Sequence, residues 1–242
     1  MNQLYKQNEL SFAILWIVVY VVLVSLADNL SVEIGVHKLV TVVVCAGLTA
    51  VLAMWMKRSG LYEKYGLCKS KMKPGRLLYY IPLVLLTSVN LWFGVTMNYS
   101  LLETVLYAVS MLFVGFLEEV IFRGLLFKAM SKDGLKSAII VSSVTFGIGH
   151  IVNLINGSGA DLFSNLLQVC YAIAVGFAFT MLFHRSRSLW ACIITHGAVN
   201  ALSVFANESN LTPGRAIFSA AALTVISLAY AGYLAKMKSI EA

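Results

Sequence analysis

Charged residues are scarce in this sequence: Lys, Arg, Asp and Glu make up 12% of its 242 residues, whereas 60% are apolar. Together with a mean hydropathy of +0.83, this composition excludes an ordinary soluble domain and indicates a membrane protein. No linker rich in Gly and Ser, no repeat and no low-complexity tract separates a soluble module. The cysteines lack metal-finger spacing and are interpreted as small packing residues; they are Cys45, Cys68, Cys170 and Cys192.

Long apolar stretches predict the fold class, an all-α polytopic membrane helical bundle with about eight transmembrane helices. A hydrocarbon core about 30 Å thick requires about 20 apolar residues per helix. The stretches that qualify are Leu10–Ala27, Leu39–Met56, Leu77–Val95, Leu101–Phe127, Ser137–Ile155, Leu162–Phe183, Leu189–Phe205 and Ala216–Ala235. A signal peptide ending at Ala27 is the alternative for the first stretch, but its apolar run is long for one.

The basic residues predict an orientation with both termini in the cytoplasm. Lys and Arg accumulate on the cytoplasmic side of membrane proteins. With eight spans and a cytoplasmic amino terminus, every Lys and Arg except Lys38 and Arg215 falls on that side or at its boundary. The net charge of +7 is therefore explained by topology, and no nucleic-acid partner is expected.

The fourth stretch contains charged residues where an apolar helix should have none. Glu118, Glu119 and Arg123 lie among Val, Leu, Ile and Phe, although each charge within the hydrocarbon costs at least about 2.5 kcal/mol on insertion scales. Glu119 and Arg123 are spaced i, i+4 and are predicted to pair. Glu118 is turned about 100° away and has no partner within the helix. Such residues inside a membrane usually mark a functional site.

Two further polar motifs follow, Phe146-x-x-x-His150 in the fifth stretch and His196-x-x-x-Asn200 in the seventh. At 1.5 Å per residue, all these polar groups lie about 12 to 21 Å below the cytoplasmic boundary. They are therefore expected to form one layer. The small residues among them are predicted to let neighbouring backbones approach closely; they are Gly147, Gly149, Gly197 and Ala198.

The remaining polar residues have simpler interpretations. His37 and His184 lie near membrane boundaries and are expected to be solvated. Asn153, Asn165 and Gln168 are expected to form hydrogen bonds between helices, as amides in membrane helices do.

The residue types of the layer favour chemistry that uses water. Neither a Gly-x-Ser-x-Gly nor a His-Glu-x-x-His motif occurs. A carboxylate in an apolar pocket suits general-base work on water, and Glu118 is the preferred base. His150 is expected to hold or deprotonate the water, while His196 and Asn200 donate to the oxyanion of a tetrahedral intermediate. Glu119 with Arg123 would orient the helix or a substrate carboxylate.

The pattern Glu-Glu-x-x-x-Arg, Phe-x-x-x-His, His-x-x-x-Asn resembles the CPBP family of intramembrane proteases, which includes CAAX prenyl endopeptidases and bacteriocin-processing or self-immunity proteins. The resemblance covers approximately Val105 to Phe205 and includes the stretch Arg187–Trp190. It implies an endopeptidase that acts on a membrane-associated peptide or protein, with membrane lipids as its other partners. Localisation in a bacterial plasma membrane is expected.

The resemblance leaves the cofactor open. The family is often described as metalloproteases, and Glu118, His150 and His196 are candidate ligands for a divalent metal such as zinc. The spacing does not require a metal, and the favoured interpretation has none. The predicted organisation is helices 1–3 with the basic loop in residues 1–100, the catalytic core in 101–206 and a last transmembrane helix in 207–242.

Two alternatives to a protease fit the same residues. In a proton-coupled transporter, Glu118, His150 and His196 would form a relay, but the inverted repeats and broken helices typical of transporters are not evident. A non-catalytic bacteriocin-immunity or interaction protein that keeps the fold is the other.

Overall fold

The computed structural model describes residues 1–156 and 161–237, which fold as an all-helical bundle. Its helices are α1 (Asn2–Gln7), α2 (Glu9–Ile34), α3 (Leu39–Arg58), α4 (Ile81–Thr87), α5 (Leu101–Glu118), α6 (Phe127–Met130), α7 (Leu135–Gly149), α8 (Leu162–Ser186), α9 (Trp190–Leu202) and α10 (Pro213–Lys236). A π-helical segment, Glu119–Leu126, joins α5 to α6 without a break. No strand forms among the described residues, although an isolated bridge pairs Val95 with Ala206.

Six helical stretches are long and apolar enough to cross a membrane, so the chain is an integral membrane protein. They are Glu9–Ile34, Leu39–Arg58, Leu101–Met130, Leu135–Leu154, Leu162–Ser186 and Pro213–Lys236. The predicted span Leu189–Phe205 corresponds to a shorter apolar helix, Trp190–Phe205. The all-helical membrane fold is thus confirmed, whereas the count of eight is not. The division into three segments stays a prediction, and residues 238–242 lie outside the described residues.

The predicted span Leu77–Val95 is not one continuous helix, and this part of the prediction is wrong. A 3₁₀ segment, Pro74–Tyr80, leads into the short helix α4 and then into a second 3₁₀ turn, Val89–Leu91. Leu78, Tyr79 and Tyr80 adopt left-handed backbone conformations. Pro82 explains part of the break, because proline has no N–H to donate and is therefore tolerated only in the first turn of a helix, which is where it lies in α4.

The connections between helices gather at two opposite ends of the bundle. At one end, Leu189 N–H donates to the Gly66 carbonyl, and Lys132 pairs with Glu9 at 3.0 Å. Arg185 at the same end donates to the carbonyl of Leu234. The basic loop after α3 therefore packs on the start of α9 and is not simply a solvated connection.

At the other end, the segment before α5 packs on the segment after α9. Thr96 N–H donates to the Phe205 carbonyl at 3.0 Å, and Asn98 donates to the Val204 carbonyl at 2.8 Å. The broken segment after the basic loop and the short helix α9 thus each run from one end of the bundle to the other.

Glycines permit close helix contacts around the centre of the bundle. A Cβ added to Gly115 of α5 would lie 2.5 Å from the backbone nitrogen of Gly197 in α9. A Cβ on Gly147 of α7 would lie 2.7 Å from the backbone nitrogen of Ile173 in α8. The predicted close approach is therefore confirmed for Gly147. A Cβ on Gly149 would meet open space, so that part of the prediction is wrong.

Candidate active site

The helix that carries both glutamates changes its geometry where they stand. Residues 119–126 are π-helical, and the N–H of Phe127 donates to the carbonyl of Phe122, five residues earlier. The same carbonyl accepts a 2.9 Å hydrogen bond from the hydroxyl of Ser142 in α7. Short π-helical segments are uncommon and occur frequently at functional sites. The widened turn is thus anchored to the helix that carries His150.

Glu119, Arg123 and His196 form a buried ionic cluster. Arg123 Nη1 donates to Glu119 Oε1 at 3.1 Å, as the i, i+4 spacing predicts, and both side chains are fully buried. His196 Nδ1 lies 2.8 Å from the same oxygen. This cluster ties the first polar motif to the third, across the contact that Gly115 and Gly197 permit.

Aromatic rings cover the rest of the Arg123 guanidinium. Its central carbon lies 3.9 Å from the centroid of the Phe146 ring and 5.8 Å from that of Phe179. Arg123 Nε and Nη2 have no hydrogen-bond partner among the described residues. The aromatic faces therefore provide the attraction that acceptors would otherwise supply. Phe146, the first residue of the second motif, thus packs on the charged residue of the first.

Glu118 occupies a different environment from its neighbour Glu119. Tyr20 of α2 donates its hydroxyl to Glu118 Oε1 at 2.6 Å. The other oxygen, Oε2, lies 3.4 Å from Nε2 of His196. The Glu118 side chain keeps 15% of its accessible surface, whereas that of Glu119 keeps none. Glu118 is thus the carboxylate that faces open space.

That open space is a cavity of about 80 Å³, lined by both Glu118 and His150. Its walls come from α2, the helix of Glu118 and the end of α7, through Tyr20, Val24 and Phe122 among others. A cavity of this volume has room for several water molecules, and its polar groups suit them. The structure therefore brings the predicted base and the predicted water-holding histidine to one cavity.

A second cavity, of about 70 Å³, is lined by His150, His196 and Asn200. Phe146 and His150 line both cavities and therefore stand between them. Asn200 lies one turn beyond His196 on α9, and among the described residues no partner is recorded for its side-chain amide. His150, His196 and Asn200 thus line one cavity, which lies next to the cavity that Glu118 lines but is separate from it.

His150 is held at the point where α7 ends. Its Nδ1 lies 3.1 Å from the Phe146 carbonyl, which can only accept, so Nδ1 carries the proton and Nε2 presents a lone pair. Asn165 of α8 donates to the His150 carbonyl at 2.8 Å. Asn153 donates to Gln168 at 3.0 Å. The predicted interhelical role of these amides is confirmed.

The candidate metal ligands are not arranged as a metal site in this geometry. Across residues 1–156 and 161–237, no three His, Cys, Asp or Glu side chains are placed to hold a metal ion together. Tyr20 and His196 already engage the two oxygens of Glu118. Both nitrogens of His196 lie near carboxylate oxygens, Nδ1 at 2.8 Å from Glu119 and Nε2 at 3.4 Å from Glu118.

Sequence reasoning missed two residues of the site, Tyr20 and Phe179. Tyr20 touches Glu118 from 98 residues away, so no local spacing connects them. A tyrosine near the middle of an apolar span, far from the interfacial belts, was the available signal. Phe179 is one apolar residue among many in α8 and carries no such signal.

Comparisons with known proteins bear on the central part of the chain. Residues 100–202 match the family model described as Rce1-like, type II CAAX prenyl endopeptidase. A Bacillus subtilis (strain 168) protein named "Putative membrane peptidase YdiL" is 37% identical over 89 residues, which is 36% of this chain and 31% of the relative. The match thus spans about a third of that relative's length. No solved structure matches.

Both findings confirm the resemblance to the CPBP family that the three motifs indicate. The matched residues contain Glu118, Glu119, Arg123, His150, His196 and Asn200. Tyr20, which touches Glu118, lies outside them.

Proposed function

We propose that this protein is an intramembrane endopeptidase in which Glu118 activates a water that hydrolyses a peptide bond. The substrate is a membrane-associated peptide or protein. The Rce1-like match and the peptidase name of the relative support a membrane protease. The observation that carries the mechanism is the different surroundings of two adjacent glutamates. Glu119 is buried in an ion pair, whereas Glu118 lines a cavity of about 80 Å³ together with His150.

In the first step, a water in the cavity of Glu118 and His150 attacks the scissile carbonyl carbon. Glu118 Oε2 takes one proton of the water as the new C–O bond forms. The other hydrogen of the same water donates a hydrogen bond to His150 Nε2. This hydrogen bond fixes the direction of the water's oxygen lone pair. General-base catalysis by a positioned carboxylate contributes about 10²- to 10⁴-fold.

In the same step, the carbonyl oxygen becomes an oxyanion on the Asn200 side of His150. The Asn200 amide donates to it, and His196 Nε2–H donates to it as well. His196 Nδ1 lies 2.8 Å from the Glu119 carboxylate, and Nε2 lies 3.4 Å from the Glu118 carboxylate. When Glu118 takes the water's proton, it loses its charge and its hold on Nε2–H weakens. The Nε2–H is then available to donate to the oxyanion.

In the second step, the tetrahedral intermediate collapses and the C–N bond breaks. Glu118 returns its proton to the leaving nitrogen. The new carboxylic acid then gives its remaining proton to the free amine, so the products are an ammonium and a carboxylate. Glu118 is ionised again and ready for another water. The cycle requires only the groups in the two cavities, and we propose that it runs without a metal ion.

The same proposal includes eight crossings with both termini in the cytoplasm. Two short segments, residues 74–95 and Trp190–Phe205, each connect the two ends of the bundle, which supports counting them as crossings. The end that holds Glu9, Lys64, Lys132 and Arg185 is the basic one. The distribution of Lys and Arg supports a cytoplasmic position for this end. The membrane in the proposal is a bacterial plasma membrane. The scissile bond then lies in the inner half of the bilayer.

The test is a cleavage assay with purified protein in liposomes and H₂¹⁸O as solvent. The substrates are prenylated and non-prenylated carboxyl-terminal peptides and precursors of membrane-active peptides. Cleavage by an activated water places one ¹⁸O in the new carboxylate, measured by mass spectrometry. Glu118→Gln and His150→Ala are each expected to lower the rate at least about 100-fold. Glu33→Gln, a change at an exposed glutamate of α2, is the matched control and should leave the rate unchanged.

Other outcomes separate the alternatives. Wild-type protein that cleaves no substrate but moves protons or solute across the liposome is a transporter, and protein that does neither is an interaction or immunity protein. Full activity after exhaustive chelation agrees with the metal-free proposal. Activity that is lost on chelation and restored by added zinc contradicts it.

A further inference from the structure

Among the described residues, Tyr20 and Glu118 form the only hydrogen bond between α2 and the polar motifs. We propose that Tyr20 is a positioning residue for the general base: its hydroxyl holds Glu118 Oε1, and so leaves Oε2 to take the proton of the water. This inference rests on the proposed function of Glu118. It assigns a part of the site to the amino-terminal helices, outside the segment 100–202 that matches a known family.

The contact is a short hydrogen bond with a single donor. The Tyr20 oxygen lies 2.6 Å from Glu118 Oε1, at the short end of the usual range for O–H···O hydrogen bonds. The phenol has one O–H to donate, and Oε1 accepts it. Tyr20 thus fixes the orientation of the carboxyl group that lines the cavity.

The contact also selects between the two oxygens of the carboxylate. Oε1 is held at 2.6 Å by Tyr20, whereas Oε2 has only the 3.4 Å contact with His196. At 3.4 Å a hydrogen bond is long and weak. Oε2 is therefore the oxygen that can exchange partners during the reaction, while Oε1 stays fixed.

Tyr20 itself is held firmly enough to do this. Its side chain is 6% exposed and belongs to the apolar core with Phe12, Trp16 and Leu117. Tyr20 and Val24 of α2 also line the cavity that Glu118 and His150 share. A movement of α2 would therefore change both the direction of the base and the shape of the cavity that holds the water.

If Tyr20 had a purely structural role, its replacement would change the stability of the protein and not the catalytic step.

The titratable or charged groups around Glu118 are Tyr20 of α2, Cys45 of α3, Glu119 and Arg123 of its own helix, and His150 and His196. Among these groups, Tyr20 can be replaced by Phe, which removes the hydroxyl and keeps nearly the same packing volume. Tyr230→Phe is the matched control, because it deletes a buried hydroxyl that donates to the Leu77 carbonyl, away from the site.

The first measurement separates kcat from KM for the full-length protein in liposomes. Tyr20→Phe is expected to lower kcat about 10-fold and to leave KM unchanged, because the carboxylate loses the donor that fixes its orientation. Replacing Tyr20 with 3,5-difluorotyrosine, which keeps the O–H and a similar size, should keep the wild-type kcat. Tyr230→Phe should also keep it. A Tyr20→Phe protein with the kcat of wild type would overturn the proposal.

The second measurement does not depend on turnover. Dicyclohexylcarbodiimide modifies carboxyls in apolar surroundings, and the rate at which Glu118 is labelled is read by peptide mass spectrometry at one pH. Tyr20→Phe should raise this rate, because Oε1 loses the hydroxyl that holds it, and Tyr230→Phe should not. If wild-type protein cleaves nothing but this rise occurs, the endopeptidase proposal fails and the Tyr20 contact stands. If cleavage occurs without the rise, the Tyr20 proposal fails alone.

Discussion

The buried pair of Glu119 and Arg123 makes a quantitative prediction about stability. At 3.1 Å separation and with an effective dielectric constant of about 20, two unit charges attract by about 5 kcal/mol. Arg123→Met keeps much of the side-chain volume but removes the charge, and it leaves the Glu119 carboxylate fully buried with only His196 as a partner. Breaking a buried ion pair from one side typically costs about 3 to 5 kcal/mol, and we expect a loss in that range.

The double variant Glu119→Gln/Arg123→Met separates lost attraction from lost packing. With the carboxylate neutralised, no uncompensated charge stays in the core. The double variant should therefore be more stable than Arg123→Met by about 2 kcal/mol or more. The coupling between the two changes, obtained from the full cycle, measures the pair itself. Lys136→Met, which removes an exposed charge at the start of α7, is the control for a basic residue lost elsewhere.

The assay is the free energy of unfolding in bicelles by steric trapping, in which streptavidin binds two biotin tags only when the protein opens. The reasoning is refuted if Arg123→Met is no less stable than Lys136→Met. It is equally refuted if neutralising Glu119 in the Arg123→Met background recovers nothing. Either result would mean that the two charges are not held as an ion pair in a low-dielectric core.

Two further predictions concern helix contact and pH. Gly115→Ala should lower both the melting temperature and the cleavage rate, because the new Cβ would lie 2.5 Å from the Gly197 nitrogen and push α5 away from α9. Gly232→Ala is the control in both assays, since a Cβ at Gly232 meets open space. His37 stacks on Tyr99 at 4.5 Å, and burial lowers its pKa below the ordinary 6.5, with Lys38 adding to the effect. As the pH falls, His37 therefore binds a proton in the unfolded chain at a higher pH than in the folded protein. His37 thus contributes its full stabilisation above about pH 6.5, and the free energy of unfolding declines below that pH. The melting temperature in detergent should fall more between about pH 7.5 and pH 5 for wild-type protein than for His37→Phe, which keeps the stacking; equal falls would contradict this.

Local spacing predicted the parts of the site that lie within one helix. The i, i+4 relation between Glu119 and Arg123 depends only on helix geometry, and the pair forms. The absence of a partner for Glu118 in its own helix followed from the same geometry. The common depth of the three motifs predicted their meeting, because antiparallel helices of known rise bring residues of equal depth to one layer.

Contacts between distant segments were beyond the sequence. Tyr20 reaches Glu118 through the packing of α2, which no periodicity encodes. Gly115 permits the closest contact of α5 with α9, whereas Gly149, predicted from its place in a motif, meets open space. His37 was expected to be solvated, but its Nδ1 is buried against two tyrosine rings. In each case the deciding factor is which face of a helix finds a neighbour, and an apolar membrane helix shows little difference between its faces.

The two adjacent glutamates show how one short sequence provides two functions. About 100° of helical rotation separates them, so Glu119 points to Arg123 in the interior while Glu118 points to a cavity. His196 contacts both, with Nδ1 on Glu119 and Nε2 on Glu118. If Glu119 were absent, His196 would lose the shorter of its two contacts and with it a fixed ring orientation. The ion pair thus matters for the reaction as an anchor of His196, and its loss should reduce turnover even where the fold survives.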